Sequence, residues 1–398
     1  MRKVLVINGP NLNLLGTREP EIYGSTTLSE LESQVNAWGM ERGLEISCFQ
    51  SNHEGELIDR LHTARHGCNA VILNAGALTH YSYALHDAIV AVDLPTVEVH
   101  ISNVKTREPW RRNSVVTPAC VYSIYGRGID GYRYALDHLI NRAAHPFATI
   151  SYGSGDDHVG DLRSPDGSGR HPVAVLIHGG FWRDHWTRDT MESVAVDLTS
   201  RGWATWNLEY QRVGSGGGWP ATLEDVATGI EHLEELAPEY SLDLTRVVAV
   251  GHSAGGQLAL WAAVRPHLLD AIPDPGKRVP LRGVVALAAV SDLAAGHTAG
   301  VGDDAVENFV RRAPDIGPGR YAASSPAQLL PLGVPQIVVH GSADDAVPVT
   351  ISRDYVAAAK AAGDEVHYHE FADVGHMELI DPGHAAWATA AEAMEALR

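Results

Sequence analysis

Cysteine is scarce in this chain of 398 residues: Cys48, Cys68 and Cys120 are its only three, and all lie in the first third. An odd, sparse set makes no disulfide framework and reads as reduced thiols in a cytoplasmic protein. Positive charge is also short. Lys and Arg number 30 against 49 Asp and Glu, a formal net charge of −19, which argues against nucleic acid or an anionic membrane surface as the partner. No apolar run approaches the roughly 18 residues of a transmembrane helix. The N-terminus, MRKVLVINGPNLNLLG, has too short an apolar stretch for a signal peptide and reads as a buried first strand. Low-complexity tracts and internal repeats are missing too. What remains is an ordinary globular composition, 45% hydrophobic and 20% charged, at a length that predicts two or three domains of roughly 150 residues each.

Residues 1–142 alternate short β-branched runs (Val4–Ile7, Leu44–Phe49, Ala70–Leu73, Thr96–Val99, Val115–Ile124) with amphipathic segments such as Thr27–Arg42, Gly55–Arg65 and Tyr81–Val92. That alternation predicts an α/β fold with a five-stranded parallel sheet covered on both faces. Asn141–Gly169 reads as irregular. A second βαβ series follows, with strands expected at Val173–Ile177, Ala204–Leu208, Val247–Val250, Val284–Ala288, Pro335–Val339 and near Glu365–Phe371. The boundary falls near residue 145, giving domains of residues 1–145 and 146–398.

Ligands of doubly wound sheets bind beyond the carboxyl ends of the strands. Here strand one runs into Asn8-Gly9-Pro10-Asn11, strand three into Asn74-Ala75-Gly76 with Thr79-His80 behind it, and strand four into His100-Ile101-Ser102-Asn103. Two arginine-bearing segments, Arg18–Gly24 and Arg107–Arg112, join that rim. Amides, imidazoles, a phenol and guanidiniums suit a polyhydroxylated anion. The segment Gly126-Arg127-Gly128-Ile129-Asp130-Gly131 satisfies GxGxxG, but no further strand carries a ribose-binding acid, so its glycines read as permitting tight strand–helix packing and not as a dinucleotide site.

The runs NGPNLNLLGTREPEIYG, SNHEGELID, ILNAGALTHYSYALHDA, VEVHISNVKTREPWRRNS and GRGIDGYRYAL, in that order, resemble the type II 3-dehydroquinate dehydratases over almost all of residues 1–142. The resemblance implies a flavodoxin-like fold, no cofactor, and loss of water from 3-dehydroquinate to give 3-dehydroshikimate. It places the base on Tyr23. A free phenol titrates near about 10 and is a poor base at neutrality, but adjacent cations favour the phenolate, and the family pattern puts Arg18 and Arg107 there. His100 matches the general acid, Glu98 its orienting neighbour, and Asn11 the residue that helps hold the enolate oxygen. Ile101 and Ser102 match the amides that bind the substrate carboxylate. Asn74, Gly76, His80 and Arg111 match the remaining substrate contacts. Asp87 matches a residue that reaches a neighbouring subunit's site and pairs with Arg111, which implies a homo-oligomer built on trimers, up to a dodecamer.

In the second half, Val247–Val250 runs into Gly251-His252-Ser253-Ala254-Gly255-Gly256 and then a helix, the strand–GxSxG–helix context of a nucleophile elbow. Small residues flank the serine because the turn is crowded. Strand Val173–Ile177 ends in His178-Gly179-Gly180-Phe181-Trp182, a turn able to offer oxyanion donors. His340–Pro348 follows a strand and contains Asp344 and Asp345; His376 follows the last strand. Ser253 is then the nucleophile, His376 the base and Asp344 the orienting acid, preferred to Asp345 by the HGxxDxxVP spacing; the amides of Gly180, Phe181 and Ala254 form the oxyanion hole. By HGGFW, GHSAGG and HGSADDAVP this half resembles the α/β-hydrolases, in particular the carboxylesterase and kynurenine formamidase-like branch. His367 and His369 share a strand face without a third ligand, so no metal is expected. Seven tryptophans lie in this half; they read chiefly as core, with an aromatic acyl pocket as the alternative.

The expected protein is a cytoplasmic bifunctional enzyme with small-molecule substrates: a dehydratase and a serine hydrolase of an unassigned ester or amide. The alternatives are a dehydratase whose second half serves assembly or binding, and an esterase or arylformamidase with a vestigial first half.

Overall fold

The computed structural model describes residues 2–104, 107–111, 113–144, 147–184, 186–264 and 279–398. The chain divides into two compact units, Met1–Ala144 and His145–Arg398. Residue 145, where the boundary is expected, lies outside the described residues, as does Arg112.

The first unit is a five-stranded sheet of β1 (Arg2–Asn8), β2 (Leu44–Gln50), β3 (Ala70–Asn74), β4 (Thr96–His100) and β5 (Tyr122–Tyr125), all parallel and ordered β2-β1-β3-β4-β5. This is the flavodoxin-like order. Successive residues feed opposite cores: Leu5, Ile7, Val71 and Leu73 pack on one face, Val4, Val6, Ile72 and Val97 on the other. Burial on both faces is why these strands read as unbroken apolar runs. Thr27 and Glu30 form a capping box at the start of helix Leu28–Glu41.

The run Val115–Ile124, expected to be a strand, is one only at its end, Tyr122–Tyr125. Val115 and Val116 are buried in the core, where the Val115 amide bonds the Thr79 carbonyl at 2.8 Å; Thr117–Ala119 then forms a 3-10 turn around Pro118, which has no N–H for a ladder. Apolar residues here report burial and not strand.

The second unit is an eight-stranded sheet ordered β13-β12-β11-β10-β8-β9-β7-β6. Its strands are β6 (Ala148–Ser151), β7 (Val159–Arg163), β8 (His171–Ile177), β9 (Ala204–Leu208), β10 (Leu242–His252), β11 (Gly283–Leu287), β12 (Gln336–Gly341) and β13 (Val366–Phe371). Only β7 pairs antiparallel, with β6 and β9. Together with the elbow described below, this is an α/β-hydrolase sheet. Asn141–Gly169, expected to be irregular, carries β6 and β7 at its edge. Their sequence hides them because β7 buries polar residues in pairs: Asp161 bonds Arg188 at 2.8 Å, and Arg163 bonds Glu192. Trp182, Trp203, Trp206, Trp261 and Trp387 are fully buried, so most of the tryptophans are core.

Gly160 of β7 lies beneath the Trp206 ring, where a Cβ would stand 2.4 Å from the indole. Gly160→Ala is therefore expected to destabilise the second unit by about 1–3 kcal/mol through overpacking. Denaturant unfolding followed by tryptophan fluorescence reads this directly; an unchanged midpoint would contradict the packing.

Candidate active sites

Beyond the carboxyl ends of β1, β3 and β4 lies a cleft of about 490 Å³, partly open to solvent. Every first-half substrate or catalytic residue expected from the sequence lines it except Asp87: Asn11, Arg18, Tyr23, Asn74, Gly76, His80, His100, Ile101, Ser102, Arg107 and Arg111. Asp87 is exposed on helix Tyr83–Val92. Tyr23 ends a one-turn helix, Pro20–Tyr23. Arg107 Nη1 donates to its oxygen at 2.6 Å and Arg18 Nη2 at 3.5 Å, while both guanidiniums lie over the ring, 5.5 and 4.9 Å from its centre. Burial would make Arg107 less basic, but Tyr23, Glu108 and Glu19 outweigh this and raise it, so it remains cationic. A negative charge on the phenol oxygen would meet two positive ones.

His100 ends β4, and its Nε2 bonds Glu98 Oε1 at 2.8 Å, which leaves Nδ1 as the nitrogen turned away from that carboxylate. Glu98 is fully buried and also accepts from the hydroxyls of Thr79, Thr117 and Ser114. Burial alone would raise its carboxyl. The charge and hydrogen bond of His100 and the threonine hydroxyls instead pull it from the usual 4.5 to about 2. Burial lowers the basicity of His80, whose Nδ1 donates to the Asn113 carbonyl at 2.7 Å.

Several supports were not assigned a role from sequence. Asn52 accepts from the Asn11 amide at 2.8 Å and so holds Asn11 in its left-handed conformation, φ 68°. Tyr132, fully buried, donates to Asn8 at 2.6 Å and accepts from Asn74 at 3.0 Å. The only advance signal was its polarity on an otherwise apolar helix face. The GxGxxG turn braces the site: the amides of Gly126 and Gly128 bond the carbonyls of His100 and Ile101 at 3.1 Å. At Gly126, φ is +74° and a Cβ would stand 2.8 Å from that of Asn103.

In the second unit, Ser253 sits between β10 and the wholly buried helix Ala254–Val264 with φ 58°. Positions 251 and 255 tolerate only glycine: a Cβ on Gly251 would be 2.1 Å from the Gly255 carbonyl, and one on Gly255 2.0 Å from that of Ile177. The Ala254 N–H opens the helix and has no acceptor within it. Gly180 (φ 109°) and Phe181 (φ 57°) lie in the facing turn after β8. Asp344 Oδ2 bonds His376 Nδ1 at 2.6 Å, whereas Asp345 is exposed. Burial would raise Asp344, but bonds from His340, His376 and the Val347 amide hold it well below the carboxylate range. Among the described residues no hydrogen bond joins Ser253 Oγ to His376. Such bonds are often long before substrate binds.

Four further residues hold this constellation. His340 Nε2 lies 3.2 Å from Asp344. His252 Nε2 bonds the His376 carbonyl at 3.0 Å, and burial, then the facing His376, lowers its imidazole to about 3. Glu209, buried after β9, accepts from His178 Nε2 at 2.7 Å and from the Arg188 amide at 3.0 Å. Tyr210 stacks on His178 at 4.4 Å and donates to its carbonyl at 2.7 Å. His367 is exposed and faces Glu365 at 3.2 Å, and among the described residues no cluster of three metal-capable side chains occurs.

Residues 2–140 match the family model for dehydroquinase class II. The 3-dehydroquinate dehydratase of Caldicellulosiruptor bescii is 56% identical over 137 residues, 34% of this chain and 94% of that protein. That of Anoxybacillus flavithermus is 50% identical over 141 residues, 35% of this chain and 95% of its own. The chain belongs to the class II dehydroquinase family. Beyond its dehydroquinase domain, residues 161–358 match the family model described as BD-FAE. The truncated structure of a carbohydrate esterase from gut microbiota has a TM-score of 0.56 at 18% identity, covering 63% of this chain and 96% of that one. A propionate-bound esterase of Thermogutta terrifontis has a TM-score of 0.52 at 20% identity, over 63% of this chain and 92% of its own. These two likenesses are of fold. The protein thus joins a type II dehydroquinase domain to a domain of α/β-hydrolase fold that matches the BD-FAE model.

Glu98 gives the dehydroquinase domain a pH signature. Its folded carboxyl is depressed to about 2 from 4.5, so the stability it contributes is complete above pH about 4.5 and is lost as pH falls toward about 2. Glu98→Gln is expected to lower stability at neutrality and to flatten the acid-side slope. Denaturant unfolding at a series of pH values tests this, and an equal slope in both proteins would count against it.

Proposed function

We propose that the chain is a bifunctional enzyme that dehydrates 3-dehydroquinate to 3-dehydroshikimate and hydrolyses an ester through an acyl-serine. The observation that carries the first activity is the phenol oxygen of Tyr23 within hydrogen-bond reach of two guanidiniums, in a domain 56% identical to a named dehydratase. Tyr23, as phenolate, removes the proton next to the ketone. Asn11 helps hold the enolate oxygen that forms. His100 then protonates the departing hydroxyl through Nδ1, while Glu98 orients the imidazole. The amides of Ile101 and Ser102 take the substrate carboxylate, and Asn74, Gly76, His80 and Arg111 its ring hydroxyls.

The second activity is supported by the Asp344–His376 hydrogen bond and by the left-handed backbone of Ser253 between β10 and the helix that follows it. His376 takes the Ser253 proton as Oγ attacks the acyl carbon. The amides of Gly180, Phe181 and Ala254 receive the oxyanion, and a water releases the acyl group. Esters of small acids and polyhydroxylated alcohols are the first substrates to try, since the likeness is to a carbohydrate esterase and to an esterase holding propionate. No helix among the described residues is long and apolar enough to cross a membrane.

Tyr23→Phe is expected to lower dehydratase turnover at least about 100-fold while leaving ester hydrolysis intact. Ser253→Ala should do the reverse and abolish labelling by a fluorophosphonate. The ester panel is p-nitrophenyl acetate and propionate, an acetylated xyloside, a caffeoyl quinate and formylkynurenine, with Ser253→Ala as blank. Near-normal dehydration by Tyr23→Phe, or labelling that survives Ser253→Ala, would sink the corresponding assignment.

Assembly on trimers belongs to the same reading. Asp87 shares the outward face of its helix with Tyr83 and Val90, which are 70% and 59% exposed, a surface apolar enough to be covered by another copy. Light scattering should give a mass that is a multiple of three chains. A monomer with full dehydratase activity would rule this out.

A further inference from the structure

Behind His100 the fold collects more hydroxyl groups than orienting one imidazole requires. Glu98 Oε1 accepts from His100 Nε2 at 2.8 Å and from the Thr79 hydroxyl; Oε2 accepts from the Thr117 hydroxyl; and Ser114 Oγ stands 3.2 and 3.4 Å from the two oxygens. None of these hydroxyls lines the substrate cleft. They come from separate segments, Thr79 from the turn that ends in His80, Ser114 and Thr117 from the stretch that follows Arg111. A purely structural carboxylate could be replaced by an apolar side chain in such a core. This one is kept charged by donors on both oxygens.

We propose that Thr79 and Thr117 are positioning residues of the dehydratase, whose hydroxyls share the Glu98 carboxylate with His100 and so make His100 a stronger acid. The inference rests on the dehydratase reading above. In the eliminating step Tyr23 holds the proton taken from carbon, the carbon–oxygen bond breaks, and the departing hydroxyl leaves as water with the His100 Nδ1 proton. Before that transfer, the imidazolium neutralises Glu98. After it, Glu98 is a lone buried anion, and the hydroxyls are what stabilise it. They therefore favour the deprotonated imidazole more than the protonated one. Without them His100 would hold its proton more tightly.

The other titratable groups facing this pair do not take over the role. His80, on the neighbouring turn, is made less basic by burial and spends Nδ1 on the Asn113 carbonyl. Cys120, buried after the Thr117–Ala119 turn, is pushed well up by burial and by Glu98 itself, and stays a neutral thiol. Arg111 pairs with Glu108 at 3.0 Å. Arg107 is engaged with Tyr23. Among the described residues only His100 and the hydroxyls donate to Glu98.

The test is the pH dependence of kcat/KM for 3-dehydroquinate, measured on the full chain with folding checked by circular dichroism. Thr117→Val, similar in shape but without a donor, is expected to move the alkaline limb upward by about 0.5–1 pH unit and to slow turnover about tenfold. Thr117→Ser should keep both near wild type. Thr79→Val should act in the same direction, and carries the test if Thr117→Val does not fold. An alkaline limb that stays in place in a folded valine variant, or a serine variant that behaves like the valine one, overturns the proposal. An active wild type with an unmoved limb overturns this inference alone, whereas a wild type unable to dehydrate 3-dehydroquinate overturns the dehydratase reading.

Discussion

A parallel sheet covered by helices on both faces has no room for chemistry along its length. Every side chain of β3 and β4 is buried, and β8, β11 and β12 are buried almost throughout. Polar groups can accumulate only where the strands stop, and both sites of this protein obey that limit. The dehydroquinase cleft opens past β1, β3 and β4, the hydrolase constellation past β8, β10, β12 and β13. The turns there must reverse the chain in little space, which accounts for left-handed backbone at Asn11, Phe181 and Ser253. The strain is local, and the sheets beneath supply the rigidity that holds it.

Each site also places a buried carboxylate behind an imidazole, and each surrounds the carboxylate with further donors. Glu98 has the hydroxyls of Thr79, Ser114 and Thr117. Asp344 has the amides of Ala346 and Val347 at 2.9 and 2.8 Å and the ring of His340. A lone carboxylate in a dry interior would take up a proton; several donors keep it ionised. What differs is the use made of the charge. On the proposed dehydratase mechanism the imidazole gives a proton away, so support for the bare carboxylate would help the step. On the proposed hydrolase mechanism the imidazole takes up a proton, so a well-anchored anion would stabilise the product of that transfer. Under those proposals the same kind of pair would serve acid catalysis in one domain and base catalysis in the other.

The sequence was most legible where function depends on local geometry. Glycines at 251 and 255 bracket a serine whose turn has no room for a side chain at either glycine, and the polar residues after β1, β3 and β4 converge because adjacent parallel strands end together. It was least legible where a role is set by a partner far along the chain. Tyr132 supports Asn74 from 58 residues away and Asn8 from 124; Glu209 anchors His178, in the turn after β8, from 31 residues away. No periodicity encodes such contacts. The segments around 115–124 and 141–169 were misread for complementary reasons. The first is apolar because it fills a core as a turn. The second is polar although it forms strands, because its charges are paired inside the fold.

On the proposed mechanisms both domains must take a proton from a hydroxyl, and they would do so by different physics. In the dehydroquinase domain the oxygen is a phenol whose conjugate base is useful only if it persists, so fixed cations stand against it, Arg107 at 2.6 Å and Arg18 at 3.5 Å. Guanidiniums suit this because they never compete for the proton. In the hydrolase domain the oxygen is an aliphatic alcohol, far too basic for neighbouring charge to ionise. A persistent alkoxide is out of reach, and the proton has to leave during attack, toward a group whose affinity for it lies near neutrality. An imidazole meets that requirement without any shift of its ordinary pKa. On the proposed mechanisms, the difference between a tyrosine held by two arginines and a serine served by an imidazole would be the difference between stabilising a base in advance and generating a nucleophile on demand.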